Sequence, residues 1–256
     1  MNGTPLRRWT LLLTLVVTGS LHAHANTLAD IKRTGVLRLA TEGNYTPFNY
    51  YKGKTLTGFE VELGNAIAKQ LGVKAQWTTN VFESLLIGLQ QNKYDLVIAS
   101  HGITPERQAA VDFSAPHYCS GGILVSKPGG PRTVADLKGK IVTMGVNTSY
   151  LQYVQRLPGI RAVKTFPTTN DQLNAVLAGR ADTMVLDRFN AIDASKALPG
   201  KLQLGDVIFP ERIGMAMSKR NTQLVSAVNA ALAAVMRDGT YAKLSTAYFG
   251  QDVRCK

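Results

Sequence analysis

Arg107 lies in Ile103-Thr104-Pro105-Glu106-Arg107, where Thr104 suits a helix N-cap and Pro105 the first helical position. A helix start of this kind aims the guanidinium, whose planar fork and permanent charge suit two-point recognition of a carboxylate. The same residue also reads as an ordinary surface arginine. Asn147-Thr148-Ser149 falls between an apolar strand, Ile141 to Met144, and a helix running through Leu157. Two hydroxyls and several backbone amides therefore gather at a helix N-terminus, a place that favours an anion. Plain capping of that helix also accounts for Thr148 and Ser149. Asp187 follows another strand and offers an acceptor, or else an N-cap for a helix starting near Arg188. No GxSxG, HExxH, P-loop or SxxK pattern accompanies these residues, so no catalytic set is assigned.

The elements that must position them alternate between short apolar strands and amphipathic helices, the pattern of an α/β protein with mostly parallel sheets. Val36 to Ala40 reads as the first strand. Phe59, Leu63, Ala66, Ile67 and Leu71 recur at helical spacing up to Gly72, and Val73, Ala75 and Trp77 alternate as in a strand. A helix over Glu83 to Gln90 and a strand over Leu96 to Ala99 follow. Residues Gly72 to Ser100 are echoed, at an offset of 87, by Gly159 to Asp187, each copy reading strand, helix, strand. The echo sets Ser100 opposite Asp187, each just past a strand's C-terminal end, the edge where open α/β sheets place ligands. Breaks near Ser120-Gly121-Gly122 and at Ile213 to Met217 suggest that the chain crosses between lobes twice. Residues 26–120 and 215–256 are then a discontinuous lobe one, and 121–214 are lobe two. The last helices are expected over Thr222 to Arg237 and onward to Phe249.

Arg7 and Arg8, an apolar run from Trp9 to Val17, and Ala23-His24-Ala25 have the order of a signal peptide, 1–25. The run is shorter than the ~20 residues a membrane span needs. Cleavage would leave 27 basic against 17 acidic residues, a net charge of +10. The basic residues are scattered, without the runs or aromatic interleaving of a nucleic-acid surface, and read as solvated surface. Cys119 and Cys255 are the only cysteines, and in an exported chain they are either paired or free. With His101 and His117 they show no metal-ligand spacing, so neither metal nor cofactor is expected.

Four motifs in order carry a resemblance to a family. They are Thr41-Glu42-Gly43-Asn44-Tyr45-Thr46-Pro47-Phe48, Leu56-Thr57-Gly58-Phe59-Glu60-Val61-Glu62-Leu63, Tyr94 to Ser100 leading into Ile103 to Arg107, and Asp112-Phe113-Ser114-Ala115-Pro116-His117-Tyr118. Leu137-Lys138-Gly139-Lys140 and Asp238-Gly239-Thr240-Tyr241 add to them. Over essentially all of its length beyond the leader, the chain resembles the type-3 solute-binding proteins of polar amino-acid ABC transporters. The resemblance implies a two-lobed periplasmic-binding-protein fold that closes by a hinge motion. It implies that Arg107 clamps a ligand α-carboxylate with Thr148 and Ser149, that Asp187 accepts the α-ammonium, and that Tyr45 and Phe82 sandwich the side chain. Ser100 and Gly102 fall at ligand-contacting positions. A zwitterion requires such a fixed cation, anion and hydrogen-bond partners.

The chain departs from the pattern at Gly102, where many members have Ser or Thr. It also departs at His101, in place of an apolar residue, and at Asn147, in place of Gly. The lost hydroxyl leaves room for His101 or a water to fill. Glu42 matches an acidic position found in binders of cationic ligands and hints at a positively charged side chain. The function expected is capture of an amino acid by a monomeric periplasmic protein and its delivery to an ABC permease. The alternatives are a dehydratase acting on arogenate or prephenate, and docking on a sensor instead of a permease.

Overall fold

In the computed structural model, which describes residues 25–255, the chain builds two five-stranded sheets and a small three-stranded one. After helix α1 (Leu28–Thr34) come β1 (Val36–Thr41), the short β2 (Asn44–Tyr45), β3 (Asn49–Lys52) and β4 (Thr55–Thr57), then α2 (Phe59–Gln70). Next are β5 (Lys74–Thr79), α3 (Phe82–Gln90), β6 (Leu96–Val97), α4 (Pro105–Ala110) and β7 (Val111–Phe113). The long β8 (Tyr118–Ser126) leads into β9 (Ile141–Gly145), α5 (Ser149–Val154), β10 (Ala162–Phe166), α6 (Thr169–Leu177), β11 (Thr183–Asp187) and α7 (Arg188–Ala197). The chain returns through β12 (Gln203–Ile213) to β13 (Ala216–Ser218), α8 (Thr222–Arg237) and α9 (Thr240–Phe249).

One large sheet has the order β5-β1-β6-β13-β7 and the other β10-β9-β11-β8-β12. Each is parallel across its first three strands and antiparallel across the rest, so the sheets are mixed. The difference has a topological cause. A strand that returns from the other sheet enters without a crossover helix and therefore runs against its neighbour. Elements β5, α3 and β6 correspond to β10, α6 and β11 at the offset of 87, and each equivalent strand holds the equivalent place in its sheet.

The sheets are covered by helices whose apolar faces supply the cores. Leu63 and Ile67 on α2 meet Leu232 and Val235 on α8 and Tyr241 on α9, and Leu85 and Leu89 on α3 pack on the opposite face of the same sheet. In the second sheet Val176 on α6 packs with Met184, and Val154 on α5 with Val142 and Met144. The two sheets are joined by β8 and β12, which pair antiparallel through Cys119↔Arg212, Ser120↔Glu211 and Gly121↔Pro210. Cys119 is disulfide-bonded to Cys255, with 4.8 Å between their Cα atoms, and the Cys119 amide donates to the Val253 carbonyl. The C-terminal tail is thus fastened to a connecting strand. The leader expected at 1–25 lies outside the described residues, apart from Ala25.

Candidate ligand-binding site

Between the sheets, at the C-terminal ends of β1, β6, β9 and β11, lies a cleft lined by residues of both. Glu42, Tyr45, Phe82, Ser100, Arg107, Thr148, Ser149 and Asp187 all line it. Gly102 is the exception among the nine expected residues and does not line the cleft. Its missing side chain leaves no vacancy for His101 or water, because the Glu211 carboxyl fills it. A Cβ on Gly102 would lie 2.3 Å from Glu211 Oε1. His101 is buried and stacks on Phe82, with ring centroids 4.3 Å apart. Burial and the Arg107 charge hold its imidazole well below the usual range. His101 thus covers one face of Phe82, the Arg107 guanidinium lies over the same ring at 5.6 Å from its centroid, and Tyr45 stacks on Phe48 at 5.5 Å.

Arg107 stands on α4, where Thr104 is the N-cap and its Oγ1 accepts from the Arg107 amide. The guanidinium donates to the Gly102 carbonyl at 2.9 Å and, across the cleft, to the Asn147 carbonyl at 2.8 Å. Among the described residues it forms no ion pair. Asn147 has φ 57°, a left-handed conformation that Asn tolerates. Thr148 is the N-cap of α5, accepting from the Leu151 amide, and it also lines the cleft. Ser149, at the first helical position, is buried and lines the cleft.

Asp187 likewise serves two ends. Its Oδ1 caps α7 by accepting from the amides of Phe189 and Asn190, while Oδ2 is buried and has no hydrogen-bond partner among the described residues. Burial pushes the carboxyl up to about 7, opposed by the nearby Ser120 hydroxyl and the capped amides. Glu42 is also raised to about 7, chiefly by burial, with the carboxylates of Glu83 and Glu60 adding. Both are acids that would ionise readily beside an incoming cation.

Ser100 has φ 53°, a conformation that costs a non-glycine residue about 1–3 kcal/mol and persists only where the surroundings impose it. Glu60 imposes it. Fully buried on α2, it accepts from the Ser100 amide at 2.8 Å, the Ser100 hydroxyl at 3.1 Å and Asn49 Nδ2 at 2.8 Å, and pairs with His117 Nε2 at 2.9 Å. Glu60 and His117 are supports that the sequence reading did not single out, nor did it single out Glu211. The available signal for Glu60 was a carboxylate on the apolar face of a helix. For Glu211 it was a charge at a strand crossing.

Among the described residues no group of His, Cys, Asp and Glu could hold a metal ion, and no helix is long and apolar enough to cross a membrane. Two sheets linked by two strands, with unlike charges facing across the cleft, define a receptor for a small solute. Residues 37–251 match the bacterial extracellular solute-binding proteins, family 3, and the chain belongs to that family. It is 36% identical over 233 residues to the L-cystine-binding protein TcyJ of Escherichia coli K12, covering 88% of this chain and 87% of the relative. An ancestral arginine-binding protein bound to arginine superposes with a TM-score of 0.80 at 34% identity, covering 84% of this chain and 99% of that one. An ancestral amino-acid-binding protein described as a precursor of cyclohexadienyl dehydratase gives a TM-score of 0.81 at 32% identity, covering 87% and 99%.

Proposed function

We propose that the protein captures an amino acid in this cleft and delivers it to an ABC permease. The observation that carries the reading is the placement of Arg107 and Asp187 on opposite walls, a cation facing a buried carboxyl oxygen without a hydrogen-bond partner among the described residues. The ligand carboxylate would meet Arg107, the Thr148 and Ser149 hydroxyls and the start of α5, and its ammonium would meet Asp187. Tyr45 and Phe82, which line the cleft, would pack against the side chain, and Glu42 would favour a positive group at its end. Residues 26–120 and 215–256 act as one lobe and 121–214 as the other, closing by bending β8 and β12. In this reading the leader 1–25 directs a monomeric protein to the periplasm.

Arg107→Ala and Asp187→Ala should each weaken amino-acid binding on the order of 100-fold or more, since each removes a charge-assisted contact. Isothermal titration calorimetry on variants with unchanged circular dichroism measures this, and wild-type affinity in both would refute the assignment. A second reading, a dehydratase, draws on the likeness to the dehydratase precursor and on two cleft carboxyls raised to about 7. Incubation of the purified protein with prephenate and arogenate decides between them. Product formation would favour the enzyme.

A further inference from the structure

Glu211 comes from β12, opposite Ser120 on β8, and its side chain reaches the cleft beside Arg107 and Ser149. Only 8% of the residue is exposed. The Ser149 hydroxyl donates to its Oε1, and the Tyr150 phenol lies near the carboxyl. An ideal Cβ on Gly102 would sit 2.3 Å from the same oxygen and 3.3 Å from Ser149 Oγ. The carboxyl therefore takes the place of a side chain at position 102. The charged and titratable groups facing it are the Arg107 guanidinium, the Asp187 carboxyl and the Tyr45 and Tyr150 phenols.

The protein thus already holds one carboxyl in the corner where the proposed function seats the carboxylate of the ligand. One guanidinium and one short helix start balance a single negative charge in a desolvated corner, and two carboxylates brought together there keep a proton between them. We propose that Glu211 is a ligand-contacting residue that holds the ligand carboxylate through a shared proton, supplying the donor that Gly102 lacks. The inference rests on the assignment of Arg107 as the carboxylate clamp. In the empty cleft Glu211 accepts from Ser149. When the ligand carboxylate arrives, Glu211 takes one proton from solvent, and its O–H donates to that carboxylate. Burial already favours the protonated form. No bond to carbon forms or breaks, and binding at this end consumes one proton.

The sign of the pH dependence follows. Proton uptake makes affinity fall as pH rises, by up to about tenfold per pH unit for one proton. Asp187 and Glu42 act oppositely, because a ligand ammonium favours their ionised forms and releases protons. Comparison with Glu211→Gln, whose amide keeps a donor and cannot titrate, isolates the Glu211 contribution.

The experiment is calorimetry of the purified protein with L-arginine and with L-cystine from pH 6 to pH 8.5, in buffers of low and high ionisation enthalpy. Wild type should take up about one proton more than Glu211→Gln, which should hold its affinity better at the alkaline end. Equal proton counts and equal pH slopes in the two proteins overturn the proposal while leaving amino-acid capture intact. Failure of wild type to bind either amino acid overturns capture and this inference together. If Glu211→Gln does not fold, the pair Gly102→Ser and Glu211→Ala replaces it. Gly102→Ser alone should lose binding by collision with Glu211. The double variant should regain binding without proton uptake, and a double variant that still takes up the proton overturns the proposal.

Discussion

Asp187 shows how a single side chain couples stability to ligand capture. With one oxygen capping α7 and the other buried without a partner among the described residues, its carboxyl rises from 3.8 to about 7 in the empty protein. A raised acid contributes stability that is fully present below its unfolded value and is lost as pH climbs through the folded one. The empty protein should therefore lose up to roughly 4 kcal/mol of its stability between pH 4 and pH 8 from this group. Asp187→Asn should flatten the profile, and in the Glu211→Gln background, where only the acids facing the ammonium titrate, ligand should produce a larger thermal shift at pH 8 than at pH 5. Denaturant midpoints across that range test the first expectation, and equal slopes in variant and wild type would contradict it. Asp187, Arg107, Thr148 and Ser149 were legible in the sequence because helix starts and strand ends are set by neighbours in the chain. Glu211 was not, since its place depends on β12 passing beside Gly102, 109 positions earlier.

At the scale of elements, the site depends on how firmly short helices begin. The α4 helix has six residues, too few to stand without its cap, and the cap accepts from the amide of the residue that carries the guanidinium. Thr104→Ala should remove about 1 kcal/mol of helix-start stability and weaken amino-acid binding several-fold by loosening Arg107. Unchanged affinity in calorimetry would show that the two carbonyl contacts alone hold the side chain. Longer elements were readable nearly to the residue. The expected Thr222 to Arg237 helix is α8, and the helix from Phe59 ends at Gln70. The strands β2, β3 and β4 have two to four residues, too few for a period to show, and exist through pairing with each other. The antiparallel part of each sheet was also missed, because alternating strands and helices describe connection and not direction.

For the molecule as a whole, the pairing of Cys119 with Cys255, which sequence alone left open, ties the tail to a strand that joins the two sheets. The bond closes a loop with a sequence separation of 136. Cys255→Ser should lower stability by about 2–4 kcal/mol through the larger freedom of the unfolded chain. Urea midpoints measure this, and an equal midpoint for wild type with and without reductant would contradict it. The shared strand order of the two large sheets has a different consequence. Ser100 and Asp187 hold corresponding places in the two sheets, 87 positions apart, one a little beyond the end of β6 and the other closing β11. The scaffold is nearly a figure of two equal halves, but a molecule with one positive and one negative end has no such equivalence. Direction is therefore written in the few side chains that line the cleft, Asp187 at a strand end and Arg107 on α4 among them. A change of cargo, or a reversal of which end faces which half, requires new residues there and leaves both interiors as they are.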